Sequence, residues 1–429
     1  MTDTTLDGIA TLPENDVRTA IRNSLKTRRR KQTRLRIYGL AAIIFALSML
    51  AVLVGSVIMT SLPAWTQTQV RIDVTVPPEA AEGVNVRPGP LADESILKLF
   101  PEAQERADQR AVTSILSNGA QYIIRDTLEA GTLQPGETLS LWVPVTDSYE
   151  QLYEGVITTA QPENRRPLND EAISRFQTLQ AEDRIRSTFA WDLFTSADSR
   201  FPEIAGLRGA IVGSFYLLLI CLLVSVPLGV GAAVYLEEYA SKNKFTDFIE
   251  INVNNLAAVP SVVFGLLGLA LFIGFFGMPR SVPLVGGLVL ALMTLPTIII
   301  TTRSALKAVP PSIREAARGV GASDMQVIGH HVLPLAAPGI MTGVIIGLAQ
   351  ALGETAPLLL IGMNAFIVAA PDSFMEASTA LPTQIFIWFD SPERGFVART
   401  SAAICVLLIF LSLMNITAII LRRRFERRW

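Results

Sequence analysis

Six long apolar blocks set what this 429-residue chain can fold into: residues 38–59, 209–236, 256–276, 285–302, 332–361 and 402–421. About 20 apolar residues at 1.5 Å per residue match the ~30 Å hydrocarbon core of a bilayer. Within that core each backbone N–H and C=O must be paired inside the segment or in a closed barrel. The blocks are continuous rather than alternating, so they read as helices. Half of the residues are apolar and 17% are charged, fewer charges than a soluble chain of this size carries. The fold expected is an all-α polytopic membrane protein of six transmembrane helices. An α+β insert separates the first two spans.

The basic residues assign the sides. Residues 1–37 form a polar tail that ends in the run KTRRRKQTRLR. A basic run can bind nucleic acid, but beside an apolar span it is a cytoplasmic retention signal, so no nucleic-acid partner is expected. The first transmembrane helix is assigned to 38–60. It is longer than a signal-peptide core, and SLPAW after it offers no small-x-small cleavage site, so the span is expected to stay uncleaved. Trp65 would mark the far interface. Six spans return the chain to the starting side, where Arg303, Lys307, Arg314, Arg318 and the basic C-terminus 422–429 then also fall. The reading is a multi-pass membrane protein, surrounded by lipid, with both termini cytoplasmic.

The insert, 61–206, would lie on the periplasmic side. It carries a surplus of Asp and Glu over Lys and Arg. Residues 69–76 and 139–145 alternate as strands, and 93–116 and 170–186 read as helices. A domain of this length can hold its own core. It contains no histidine, no nucleophile–base pair and no metal-ligand spacing. The chain's two cysteines, Cys221 and Cys405, lie in apolar blocks and read as packing residues, not a disulfide. Its two histidines, His330 and His331, are adjacent; neighbours on a helix point about 100° apart, so they form no metal clamp. No phosphate-binding glycine loop of the G-x-x-x-x-G-K-[ST] type is present, so ATP hydrolysis by this chain is not expected. No catalytic residue, metal or chain-bound cofactor is expected, and the chain is not read as an enzyme.

One polar stretch between the fourth and fifth blocks stands apart. In 311–334, Pro310 and Pro311 block a helix running in from upstream. Ser312 with Glu315 has the spacing of a capping box. Ile313, Ala316, Ala317 and Val320 follow at i, i+3, i+4 and i+7, giving one apolar face too short to be stable alone. Arg314 and Arg318 lie on another face. Gly319 and Gly321 offer a left-handed exit, and Ser323 with Gln326 has the spacing of a second capping box that opens a helix toward Pro334. The product is a helix–turn–helix elbow at a membrane surface, with a partner expected on its apolar face.

Two further features lie in the fifth block. Gly339, Gly343, Gly347 and Ala351 form a small-residue stripe, which suits close helix approach. It faces a second membrane chain or the wall of a cavity, or else it packs within this chain. Glu354 is an acidic group in an apolar block, flanked by Gly353, Thr355 and Pro357. A carboxylate at membrane depth tends to face an interior or a cavity. Glu354, Thr355 and Gln350 are therefore pathway or gate candidates; the alternative is an interfacial carboxylate hydrogen-bonded to Gln350. Pro260 and Gly265 in the third block indicate a broken or closely packed helix.

The elbow resembles the EAA loop of binding-protein-dependent ABC importer permeases: Glu315, Ala316, Ala317, Gly321, Leu333 and Pro334 match, and His331 replaces the usual Ile. GETAPLL from Gly353, AVPSVVFGLLG from Ala258 and LPTQIF from Leu381 resemble the PstA-type permease subunits of phosphate importers, over roughly residues 206 to 429. The family often has Arg where this chain has Gln350, so a cation–phosphate contact there does not carry over. The resemblance implies the type I ABC importer permease fold, with a permease core over 207–421 and ATPase coupling through the six matched residues. It also implies a second, PstC-type permease subunit, a PstB-type cytoplasmic ATPase dimer holding ATP–Mg, and a PstS-type periplasmic phosphate-binding protein. The alternatives are a permease for another oxyanion or small solute, or a membrane-anchored sensor that uses the insert.

Overall fold

A computed structural model describes residues 14–78, 87–130, 134–160 and 162–425. The ends of both expected basic tails, 1–13 and 426–429, lie outside the described residues. The chain divides into two compact units, Met1–Met59 and Thr60–Trp429. The first is one helix that begins at Glu14 and runs to Ser61. The basic run and the first span are thus a single helix, and its apolar window has a mean hydropathy of 2.6.

In the second unit, Thr66–Thr75 is β1, Thr138–Pro144 is β2 and Ile185–Phe189 is β3. They form an antiparallel sheet of order β2-β1-β3, with Val70 opposite Val143 and Gln69 opposite Arg186. Side chains alternate along a strand. Val70, Ile72 and Val74 therefore share one face of the central strand, fully buried against Ile96, Ile115, Ile124, Phe176 and Leu179. Two expectations are corrected. The helix expected over 93–116 is two, Pro88–Leu97 and Arg106–Thr113; Pro101 interrupts the pattern, because proline disfavours helix at the residue before it. The helix expected over 170–186 stops at Ala181. Asp183 takes a left-handed turn at φ 53°, and the chain turns back as β3 along β1.

The membrane helices follow. The second span, Arg208–Val234, ends in a π-helical turn at Tyr235–Tyr239. The third is a pair, Lys244–Ala257 and Ser261–Phe275, bent by 102°. The fourth is Pro283–Lys307, the fifth Leu333–Gly353 and the last Gly395–Phe425. Among the described residues five helices are long and apolar enough to cross a membrane, or six with the bent pair as one span. The third apolar block, 256–276, straddles the bend instead of forming a straight span, because Pro260 has no N–H to continue the upstream helix. The fourth span is the hub: 61% of its apolar window is buried, against 11% for the last span. Cys221 and Cys405 are both free thiols, and Cys221 packs on Thr294 of the fourth span at 3.5 Å.

The insert is tied to the last span through a buried polar cluster. Arg399, 3% exposed, lies four residues into that helix. Its Nη2 donates to the Glu203 carbonyl at 3.3 Å, and Gln67 Nε2 donates to the same oxygen and to Asp192. Ser117 Oγ donates to Glu203 Oε1 at 2.6 Å, and the Thr68 N–H donates to Glu150 at 3.2 Å. Burial also pushes the Asp147, Glu154 and Glu203 carboxyls above their ordinary values. Glu150 is raised to about 8, by burial first, with Glu154 and Asp147 adding to it and Arg399 opposing. The folded chain then holds a proton on Glu150 that the unfolded chain releases near pH 4.5. Stability falls as pH climbs through that window, since the native state binds more protons. Glu150→Gln should make the thermal midpoint of the full-length chain in detergent fall less steeply between pH 5 and 8. Equal slopes for the two proteins would assign the proton elsewhere.

Candidate functional site

The elbow helix spans Pro311–Gly319 and starts from Pro310, with no side-chain cap. The first expected capping box is therefore absent. Pro311, not Ser312, opens the helix, as suits a residue with preset φ and no N–H, and Ser312 falls inside the first turn. The second box is formed: the Ser323 N–H donates to Gln326 Oε1 at 2.9 Å, and the Gln326 N–H donates to Ser323 Oγ at 3.4 Å. Between the two helical pieces Gly321 sits at φ 89°, a conformation that residues with a Cβ resist. A π-helical turn, Val327–Val332, then leads into the fifth span at Leu333 and Pro334. His330 and His331 lie exposed on that turn.

The apolar stripe of the elbow divides. Ala317 and Ile313 join the chain's own core. Ala316 is exposed, Val320 is 85% exposed and Met325, beyond the turn, is 74% exposed. Glu315 is also exposed. The inner half of the stripe thus anchors the elbow, while the outer half is open.

An ion-pair set fixes the elbow to the span ends. Glu237 and Glu238 lie on the π-turn that ends the second span. Arg314 Nη2 meets Glu238 at 2.6 Å, and Arg314 also donates to the Val309 and Leu306 carbonyls at 2.8 and 3.0 Å. Arg303 meets Glu250 at 2.5 Å and Glu237 at 3.3 Å, and Lys307 meets Glu237 at 3.6 Å. Arg303 is thus enclosed between two carboxylates from the second and third spans. Arg318 pairs with Asp324 across the Gly321 turn at 2.9 Å. Sequence reasoning missed the roles of Glu237, Glu238 and Glu250. The one available signal was an acidic doublet placed where basic residues gather on the same membrane side.

The glycine stripe packs within this chain. A Cβ on Gly339 would lie 2.6 Å from the Ala305 Cβ, one on Gly343 would overlap the Thr301 side chain, and Gly347 faces Thr294 and Ile298. All of these belong to the fourth span, so of the alternatives left open for the stripe, the contacts seen are those of packing within this chain. Overpacking at such a contact costs about 1–3 kcal/mol or more.

Glu354 lies at the break that ends the fifth-span helix, with extended backbone at φ −83°, ψ 118°. It is half-buried, and among the described residues its carboxylate has no hydrogen-bond or ion-pair partner. Gln350 is exposed and does not bond to it, so the interfacial hydrogen-bond alternative is not realised. Thr355 starts the next helix, Ala356–Leu360, without a side-chain cap. The two motifs around this break touch: a Cβ on Gly265 would lie 2.7 Å from Pro357 Cα, so AVPSVVFGLLG packs directly on GETAPLL. The helix of LPTQIF, Leu381–Phe389, is tied to the second span, since the Leu381 N–H donates to Ser214 at 2.8 Å. It is tied to the insert through Trp388 Nε1, which donates to Asp198 at 2.8 Å.

Among solved structures, an inward-facing form of the MetNI methionine ABC transporter aligns over 52% of this chain and 96% of that chain, with 18% identity and a TM-score of 0.41. Residues 22–163 match a domain family of unknown function, DUF3333. Residues 225–429 match the family described as binding-protein-dependent transport system inner membrane component. The chain is 35% identical over 173 residues to the probable ABC transporter permease protein YqgI of Bacillus subtilis, covering 40% of this chain and 58% of that relative. It is 31% identical over 229 residues to the phosphate transport system permease protein PstA of Haemophilus influenzae, covering 52% of this chain and 78% of the relative. It is 34% identical over 224 residues to PstA of Mycobacterium leprae, covering 52% and 72%. With its six matched elbow residues and its permease core in the matched region, the chain belongs to the PstA-type family of ABC importer permease subunits, among the binding-protein-dependent inner-membrane components.

Proposed function

We propose that this chain is a pathway-forming subunit of an ATP-driven importer of inorganic phosphate. The observation that carries the coupling role is the elbow: its inner face is anchored by Ile313, Ala317 and Arg314, while Glu315, Ala316 and Val320 face outward. A short amphipathic helix held rigidly by its own chain, with an open apolar half, suits docking into a groove of a partner protein. The partner proposed is a PstB-type ATPase dimer that binds ATP–Mg. A PstC-type permease subunit would complete the pathway, and a PstS-type phosphate-binding protein would deliver the solute on the side of the insert. The basic clusters argue for an elbow and termini in the cytoplasm. Cysteines placed at Ser323 and Glu129 check this: in intact cells a membrane-impermeant reagent should label only the one at 129, and the reverse pattern would invert the topology.

The case for phosphate rests on the named relatives and on the contact between GETAPLL and AVPSVVFGLLG. The charge distribution supports it. Arg303, a cation at the elbow end of the fourth span, is neutralised by Glu237 and Glu250, and a paired cation there does not trap an anion that must be released. The proposed pathway or gate group is Glu354, with Thr355 and Gln350 beside it.

The test is uptake of radiolabelled phosphate, with molybdate and sulfate as controls, in cells lacking this chain. The wild type should restore phosphate uptake alone, and Glu354→Gln should restore at most a tenth of it at equal membrane abundance. Restoration of sulfate or molybdate uptake in place of phosphate would reassign the solute, and full activity of Glu354→Gln would remove it from the pathway.

Coupling is tested by copurification of the ATPase with the full-length chain. Gly321→Val forces a β-branched residue into left-handed backbone, at about 1–2 kcal/mol. Glu238→Gln leaves Arg314 with carbonyl partners only, at roughly 1–3 kcal/mol of local stability. Both variants should insert normally, lose most of the bound ATPase and lose uptake. Retention of ATPase and uptake by both would make the elbow a plain connecting loop, and a chain that never binds an ATPase would favour the sensor reading.

A further inference from the structure

A trench of about 440 Å³ runs along the outside of the helix bundle between the second, fifth and last spans. Its walls are apolar: Leu218 and Leu222 on one side, Val344 and Leu348 on another, Phe410 and Leu413 on the third. On the last span it extends from Phe410 to Leu421. That interval is 11 residue steps, about 16 Å at 1.5 Å per residue, close to the ~15 Å of one hydrocarbon leaflet. The trench ends beside Arg422. Arg422 Nη1 donates to Thr342 Oγ1 on the fifth span at 3.1 Å, which holds the guanidinium at the trench mouth. Its Nε is buried and has no partner, and among the described residues no carboxylate pairs with Arg422. Arg423 and Arg424 follow, and residues 422–429 hold five arginines against one glutamate.

We infer that this trench is a binding site for an anionic phospholipid of the leaflet that meets the Arg422–Arg424 end. The geometry divides the lipid as the site is divided. One acyl chain lies along Phe410–Leu421 and covers apolar surface, at about 25 cal/mol per Å² buried. The headgroup phosphate takes charge-assisted hydrogen bonds from Arg422, whose planar N–H fork suits a phosphate. Arg423 and Arg424 add sequence-local positive charge, which draws anionic headgroups toward the surface. A zwitterionic lipid fits the trench equally well but brings its own ammonium to the arginine cluster. The site therefore selects headgroup charge and not chain length. The other candidate occupant is a helix of a partner subunit. Asn415 lies on the trench wall with its Oδ1 buried and unpartnered; a partner helix would use it as a hydrogen-bond acceptor, whereas an acyl chain has no donor for it.

The experiment uses the full-length chain, delipidated in detergent and mixed with dioleoylphosphatidylglycerol or dioleoylphosphatidylcholine, with bound lipid counted by native mass spectrometry. Wild type should retain phosphatidylglycerol at least tenfold over phosphatidylcholine. Arg422→Gln should remove that preference, and Leu413→Trp, which fills the trench without changing charge, should remove the lipid. Arg423→Gln, on an exposed neighbour, should change retention less than twofold. Asn415→Leu should keep or raise retention. Equal losses in Arg422→Gln and Arg423→Gln would reduce the effect to diffuse attraction and overturn the site. So would the absence of headgroup preference in the wild type. Loss of a partner subunit in Asn415→Leu, with lipid retention unchanged by Leu413→Trp, would assign the trench to protein and also overturn it. If Arg422→Gln does not fold, Leu413→Trp against Arg423→Gln decides the matter alone.

Discussion

The membrane half of this protein depends on how it handles charge at one edge of an apolar bundle. Glu237 and Glu238 close the second span, and each is claimed by a cation from elsewhere in the chain: Arg303 and Lys307 from the fourth span, Arg314 from the elbow. Part-buried charges are tolerated when they are paired and hydrogen-bonded, and costly when a partner is removed. The pairs therefore act as a positional lock more than as a store of stability. Arg314 holds the elbow in register to the ends of the second and fourth spans, and the Arg303 pairs tie those ends to the third, so under the proposed coupling a displacement at the elbow would be passed to those helices.

Close backbone approach makes that transmission rigid. Gly339 and Gly343 bring the fifth span onto the fourth, and Gly265 brings the third onto the break at Glu354. Without side chains at these positions the helices meet backbone to side-chain base, and interiors packed at that density deform little. Regular helix is interrupted at a few points: the bend at Pro260, the π-helical turns at Tyr235–Tyr239 and Val327–Val332, and the extended residue at Glu354.

The parts of this architecture legible in the sequence were those set by local rules. Apolar block length identified the spans, because a bilayer imposes a length. Gly321 and the Ser323–Gln326 box were legible, because turn and cap chemistry is read over four residues. The capping role assigned to Ser312 failed because Pro311 is a better helix opener one position earlier, a competition between two local signals. β3 was hidden because its five residues gain strand structure only by pairing with β1, more than a hundred residues away. The glycine stripe was visible but its partner was not, since small residues report close approach without naming the neighbour. The acid–base pairs between span ends were the least legible. Glu237 and Arg303 are 66 residues apart, and nothing in either segment alone assigns one to the other.

Arg399 has a consequence for biogenesis. It is carried by the helix Gly395–Phe425, whereas the acidic groups that face it, on Asp147, Glu150, Asp192 and Glu203, belong to an insert made much earlier. An unpaired arginine is expensive for a helix entering lipid, and the Glu203 carbonyl and the acidic groups around it lack that donor and cation while the domain stands alone. Each half therefore completes the other only when the insert has already reached its side of the membrane and begun to fold. Arg399 thereby links the vertical seating of the final helix to the maturation of a domain built from the first half of the chain. A polypeptide interrupted before Gly395 would leave that domain with an open acidic floor, a difference that quality-control proteases could read.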